Sequence, residues 1–151
     1  MTPVQAIISI LKEQINSYKM LLDLLQRERI CLVEIDAEKV EEFSKEKDTV
    51  LMRLRLLEEE RAKLTEKFAK EMGVPGNINL QKLRELTGDN IFITLRSQLK
   101  SLLQSIEEMN EFNKILIDRS IRYFKASTSF LSSFSSEPAD KSIGALLSRE
   151  T

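Results

Sequence analysis

Residues 40–68 read VEEFSKEKDTVLMRLRLLEEERAKLTEKF, and the spacing of their side chains decides the fold. Steps of three and four residues alternate without a break through Val40, Phe43, Lys47, Val50, Leu54, Leu57, Arg61, Leu64 and Phe68. A heptad repeat of this kind returns to one side of a helix about every 3.5 residues and is typical of helices that wrap around a partner. The stretch therefore predicts a long helix with a narrow buried stripe.

The same spacing recurs on both sides of this stretch. The N-terminal segment carries it at Val4, Ile8, Leu11, Ile15, Tyr18, Leu22, Leu25, Arg29 and Leu32. The C-terminal segment carries it at Phe92, Leu95, Leu99, Leu102, Ile106, Met109, Asn113, Leu116, Ser120, Tyr123, Ser127, Phe130 and Phe134. We therefore expect an all-α fold in which three long helices form an antiparallel coiled-coil-like bundle.

Capping residues predict where the helices begin and end. The expected helices are, approximately, a first long helix over 3–35, a second over 37–72, a short connecting helix over 79–87 and a third long helix over 89–134. Asp36 fits an N-cap, and Gly73 followed by Pro75 ends the second helix. We expect a tight reversal at Asp36, which would bring Tyr18 close to Leu54. One continuous helix is the alternative, because no Gly or Pro marks this junction.

A single helical domain over 1–134 and a flexible tail over 135–151 follow from this pattern. The tail is rich in Ser and mixed in charge, and its apolar residues are few. Such a segment cannot bury enough apolar surface to order itself, so we expect it to be disordered alone.

The composition excludes most kinds of catalytic and metal site. The chain has no His and only one Cys, so the commonest general base and the usual zinc ligands are missing. We expect no cofactor, and an enzyme is the least expected class. The net charge of −1 argues against nucleic acid as the main partner.

The sequence also indicates a cytoplasmic protein without a membrane-inserted segment. The first residues, Met1-Thr-Pro-Val, lack the basic start and apolar core of a signal peptide. No apolar run approaches the roughly 20 residues that cross a bilayer. A single Cys excludes an internal disulfide, which fits a reducing compartment.

Three basic residues interrupt the predicted stripes: Arg29, Lys47 and Arg61. We interpret them as structural, with aliphatic stems along the stripe and charged ends that reach solvent or a Glu. A catalytic Lys would need a desolvated pocket, which nothing in the sequence predicts.

The last part of the third helix carries the strongest functional signal. After Met109 its apolar residues spread over a wider arc than two bundle partners should cover, and small residues at Ser120 and Ser127 would let another helix approach closely. We predict a partner-binding face that consists of Asn113, Leu116, Ile117, Ser120, Tyr123, Phe124, Ser127, Phe130, Leu131 and Phe134. The alternatives are self-association into a homodimer and cover by the tail.

The order of these features resembles the FlgN family of flagellar type III export chaperones. The resemblance rests on a Leu-rich first helix, on Glu28, Asp36 and Lys47, and on a Leu-x-x-Leu-x-x-Leu ladder, Leu51 to Leu57, that Arg61 follows. The third helix adds Asn110, Asn113, Ile115, Leu116 and Arg119, although Lys114 stands where a Gly commonly follows the second Asn. The resemblance covers roughly residues 4–134.

The resemblance implies a cytoplasmic chaperone for the hook-associated proteins that join the flagellar hook to the filament. Such a chaperone binds the C-terminal amphipathic helices of its client through its own C-terminal region, prevents premature assembly and delivers the client to the export gate or its ATPase components. A structural coiled-coil tether or adaptor that self-associates without a client is the alternative.

Overall fold

The structure, a computed structural model, describes residues 1–133, apart from the side chains of Phe124 and Phe130. This range contains four helices and no strand: α1 (Pro3–Glu34), α2 (Ala37–Glu71), α3 (Leu80–Thr87) and α4 (Ile91–Ser132). The expected all-α fold, with three long helices and a short connecting helix, is confirmed. The predicted flexible tail, 135–151, lies outside the described residues.

A sharp reversal separates α1 from α2. Ile35 adopts a φ of 56°, in the left-handed region that β-branched residues rarely occupy. The carboxylate Oδ1 of Asp36 accepts a hydrogen bond of 3.1 Å from the backbone N–H of Lys39, which caps α2 as predicted. The alternative of one continuous helix is therefore wrong.

Polar contacts show that α1 and α2 run antiparallel. Gln14 of α1 donates a hydrogen bond of 2.8 Å to Glu58 of α2, and Glu28 lies 2.7 Å from Lys47. The residue numbers rise along α1 while those of their partners fall along α2, as a hairpin requires. Leu54 lies on the buried stripe of α2, only 7% exposed.

The described chain divides into two compact units. Unit 1 combines Met1–Leu22 with Thr49–Ile106, and unit 2 combines Asp23–Asp48 with the described residues from Glu107 onward. The assignment of 1–134 to one domain stays a prediction.

The core of unit 1 gathers residues from all four helices. Its fully buried members include Ile7 of α1, Leu83 of α3 and Phe92 of α4, with Ala69 of α2 beside them. The short helix α3, which contributes Leu83, is capped at its ends by Asn79 and Gly88. The side chain of Asn79 accepts a 2.8 Å hydrogen bond from Lys82 N–H, and Gly88 ends the helix at a φ of 72°, which suits a residue without a side chain.

The buried face of α1 is wider than the predicted stripe. A second line of residues seven apart is buried as well, and it consists of Ile7, Gln14, Leu21 and Glu28. Glu28 contacts both α2 and α4. A helix with two neighbours buries more than the single stripe of a two-helix coiled coil, and Arg29, which we placed on the stripe, is exposed instead.

Candidate functional site

A buried polar network joins one residue from each long helix of unit 2. The Nζ of Lys47 lies 2.7 Å from Oε2 of Glu28, whose side chain is only 1% exposed. The side-chain amide of Asn113 donates to Oε1 of Glu28 at 3.0 Å and to the backbone carbonyl of Leu25 at 2.9 Å. Glu28, Lys47 and Asn113 are residues on which the sequence resemblance rests, and the structure brings them together.

This network specifies how the helices of unit 2 align. Buried ion pairs contribute little net stability, because each charge loses its hydration on burial. Oδ1 of Asn113 is buried and has no hydrogen-bond partner among the described residues, which adds to the cost. Polar groups that can pair at only one position favour a single alignment of the neighbouring helices. The geometry of this network supports that role.

Unit 1 contains a second polar bridge between α1 and α2. Glu58 accepts hydrogen bonds from Gln14 at 2.8 Å and from Nε of Arg61 at 2.9 Å. The Arg61 hydrogen bond is the main cause that lowers the pKa of Glu58, and the same contact raises the pKa of Arg61. Burial raises the pKa of the nearby Tyr18 hydroxyl, and the charge of Glu58 adds to this effect. Lys47 and Arg61 thus reach a Glu, as the sequence predicts.

The predicted partner-binding face divides into buried and exposed residues. Asn113, Ile117 and Ser120 are buried in unit 2, whereas Tyr123 and Leu131 are 59% and 62% exposed. The remaining described members, Leu116 and Ser127, are partly buried. Phe124 and Phe130 belong to α4, but their side chains, like the whole of Phe134, lie outside the described part of the chain. The assignment of these ten residues to a binding face stays a prediction.

Whether a residue of the predicted face is buried or exposed depends on its position along α4. Ser120 is the last buried residue of the helix among the side chains that the structure describes, and α4 continues to Ser132. Leu131 comes eighteen residues after Asn113, which is five whole turns at about 3.6 residues per turn, so both lie on the same line of the helix. That line is buried at Asn113 and exposed at Leu131. Between them, Ser127 and Thr128 are partly buried, so the exposure of this side of α4 increases toward its end among the described side chains.

Three exposed apolar side chains of unit 2 are not among the residues predicted from the sequence. Phe112 and Ile115 of α4 are 47% and 44% exposed, and Val33 of α1 is 64% exposed. The position of Phe112, one turn before Leu116, is the signal that could have identified it. Nothing in the sequence of α1 sets Val33 apart, because its exposure depends on how the helices pack.

Cys31 allows a direct test of the packing in unit 2. It is the only Cys of the chain, it is 6% exposed, and burial raises the pKa of its thiol. Both effects suppress the reactive thiolate. We expect N-ethylmaleimide to modify the folded protein at least about tenfold more slowly than the urea-unfolded protein at the same pH. Mass spectrometry of quenched samples measures both rates, and equal rates would contradict the packing of α1 in unit 2.

Within residues 1–133 the structure holds no group of three potential metal-binding side chains. No helix in this range combines the length and the hydrophobicity that a membrane crossing requires.

A family model described as FlgN protein matches residues 1–139. This range includes both polar bridges and the whole of α4. Comparison with curated proteins and with solved structures gave no match.

Proposed function

The chain belongs to the FlgN family of flagellar export chaperones, and we propose that it binds the C-terminal amphipathic helices of flagellar hook-associated proteins. By covering these helices in the cytoplasm it keeps its client from assembling too early. It then hands the client to the export machinery, at the gate or through its ATPase components.

The exposed end of α4 is the observation that carries this proposal. Leu131 lies on the line of α4 on which Asn113 is buried, yet it is 62% exposed, and Tyr123, which continues the line of Phe112 and Leu116, is 59% exposed. An amphipathic helix from a client can place its apolar residues against these two exposed side chains. A chaperone needs a surface of this kind, since it must bind an apolar face that its client would otherwise use for assembly.

Alanine variants of the exposed end of α4 test the proposal. Tyr123→Ala is expected to weaken binding of the client segment about 30-fold, because large aromatic anchors commonly contribute roughly 2 kcal/mol or more. Leu131→Ala is expected to weaken it about tenfold, since it removes less apolar area. The measurement is calorimetric titration of the full chain with the C-terminal segment of a hook-associated protein.

Leu56→Ala is the matched control, because Leu56 is also a helical Leu and is 57% exposed, but belongs to unit 1. It should bind the segment like the unsubstituted chain, and circular dichroism should show the same helicity for all variants. Unchanged affinity in Tyr123→Ala and Leu131→Ala would move the binding site elsewhere. No binding of the segment by the folded chain, together with self-association in sedimentation experiments, would favour the structural tether.

A further inference from the structure

One exposed contact joins α1 to α4 on the surface of unit 2. The guanidinium carbon of Arg29 lies 5.9 Å from the centroid of the Phe112 ring. Arg29 is exposed and Phe112 is 47% exposed, so this cation–π contact sits at the surface. The two helices therefore share an outer face at this level.

Apolar side chains continue this face along both helices. Val33 lies one turn after Arg29 on α1, and Leu116 lies one turn after Phe112 on α4. Seven residues after Leu116, on the same side of α4, comes Tyr123. Val33 and Tyr123 are 64% and 59% exposed, and Leu116 is partly exposed. We name this surface the α1–α4 face, and it consists of Arg29, Val33, Phe112, Leu116, Arg119 and Tyr123.

The length of the α1–α4 face suits a helical ligand. From Phe112 to Tyr123 α4 rises roughly 16 Å at about 1.5 Å per residue, which corresponds to about three turns of a partner helix. A helix that lies along it would contact apolar side chains from both α1 and α4, as helix-in-groove recognition requires.

Positive charge borders the apolar residues of the α1–α4 face. Arg29 and Arg119 are exposed members of it. Arg122 of α4 is exposed as well, whereas the exposed Lys114 and Lys125 lie on the side of the helix opposite Tyr123, and between Phe112 and Ser133 the sequence holds one acidic residue, Asp118. Acidic side chains of α4 concentrate before Phe112 instead, at Glu107, Glu108 and Glu111. The part of the face beyond Phe112 is thus the basic part.

A basic face of this kind selects the charge of its ligand. Two copies of this chain that met through the same face would bring Arg119 of each close to the basic residues of the other, and like charges oppose such pairing. An acidic ligand gains attraction from the same residues, both in the encounter and in the complex.

We infer that the α1–α4 face binds a client helix that carries Asp or Glu side chains beside its apolar stripe. This inference rests on the proposed function and adds two things to it: a contribution of α1 to the site, and an acidic class of ligand. The acidic side chains of the bound helix lie toward Arg29 and Arg119, and its apolar residues cover Phe112, Leu116 and Tyr123.

Charge-reversal variants of the full chain test the inference. Arg29→Glu and Arg119→Glu are each expected to weaken binding of the C-terminal segment of a hook-associated protein about tenfold at about 50 mM salt. Arg55→Glu, which reverses an exposed charge of α2 in unit 1, is the matched control and should change affinity less than about twofold. A second peptide, in which Asn and Gln replace the Asp and Glu of the segment, should bind more weakly and lose most of its salt dependence. Circular dichroism and the alkylation rate of Cys31 report whether each variant is folded.

The outcomes separate this inference from the proposed function. If Arg29→Glu and Arg119→Glu bind like the unsubstituted chain while Tyr123→Ala binds weakly, the acidic-ligand inference is overturned and the proposed function stands. If no variant differs, Tyr123→Ala included, the site assignment of the proposed function fails as well. A dimer in sedimentation experiments that Arg119→Glu dissociates would mean that a second copy occupies the face, which also overturns the inference.

Discussion

Lys47→Met is expected to lower the free energy of unfolding by about 3–5 kcal/mol, because it removes the ammonium group from a carboxylate that is buried in unit 2. Glu28 is 1% exposed and lies 2.7 Å from Nζ of Lys47, so its charge cannot regain hydration while unit 2 stays folded. Met keeps most of the length and apolar volume of the Lys stem. The loss of stability therefore reports the removal of the positive charge. Urea denaturation, followed by circular dichroism, measures the change.

Two further variants make this result specific. Lys70→Met breaks the exposed pair between Lys70 and Glu66, whose side chains are 76% and 57% exposed, and is expected to cost less than about 1 kcal/mol. The double variant Glu28→Leu with Lys47→Met removes both charges and is expected to recover at least about half of the loss, because an apolar pair of similar volume needs no hydration. If Lys47→Met were as stable as Lys70→Met, the polar network would not be buried as described.

Phe92→Ala is expected to destabilise the protein by about 3–5 kcal/mol, through the lost burial of the ring and the cavity that it leaves. Phe92 is completely buried in the core of unit 1, where α4 begins, and residues of α1, α2 and α3 belong to the same cluster. The cavity would thus weaken the packing of four helices at once. Urea denaturation and thermal unfolding both measure the loss.

The neighbouring residue offers the matched control for this variant. Ile93 follows Phe92 in the same turn of α4 but is 49% exposed, so Ile93→Ala is expected to cost less than about 1 kcal/mol. Phe92→Leu retains much of the volume and should cost less than Phe92→Ala. Equal stability of Phe92→Ala and Ile93→Ala would show that the two faces of α4 are assigned the wrong way round.

The fold could be predicted from local signals because a coiled-coil pattern is local. Leu54 occupies its buried stripe and Asp36 its cap, since both depend on residues within a turn or two. The width of the buried face of α1 could not be predicted in the same way. Gln14 and Glu28 are polar. A polar residue is expected in solvent unless a partner for its hydrogen-bonding groups within the fold is known. Their partners, Glu58 and Lys47, are distant in the chain.

The candidate site could be located only in part. Its position on the second half of α4 follows from a broad apolar arc and from the positive charge beside it. Which residues of that arc face outward depends on where neighbouring helices cover it, and this separates the buried Ile117 from the exposed Tyr123. The contribution of α1 to the candidate site, through Arg29 and Val33, could not be predicted from the sequence of α4. It follows from the contacts and exposure of these residues in the structure.

The reversal at Ile35 also bears on how readily the hairpin could open. A β-branched residue with a φ of 56° stores strain of roughly 1–2 kcal/mol, which a helix that continued from α1 into α2 would release. In such an opened form, two chains could exchange their α2 helices, and each would regain the contacts between Glu28 and Lys47 from the other chain. The free-energy difference between the closed monomer and a domain-swapped dimer is therefore smaller than the contacts alone imply. Ile35→Gly would remove the strain and increase that difference in favour of the monomer.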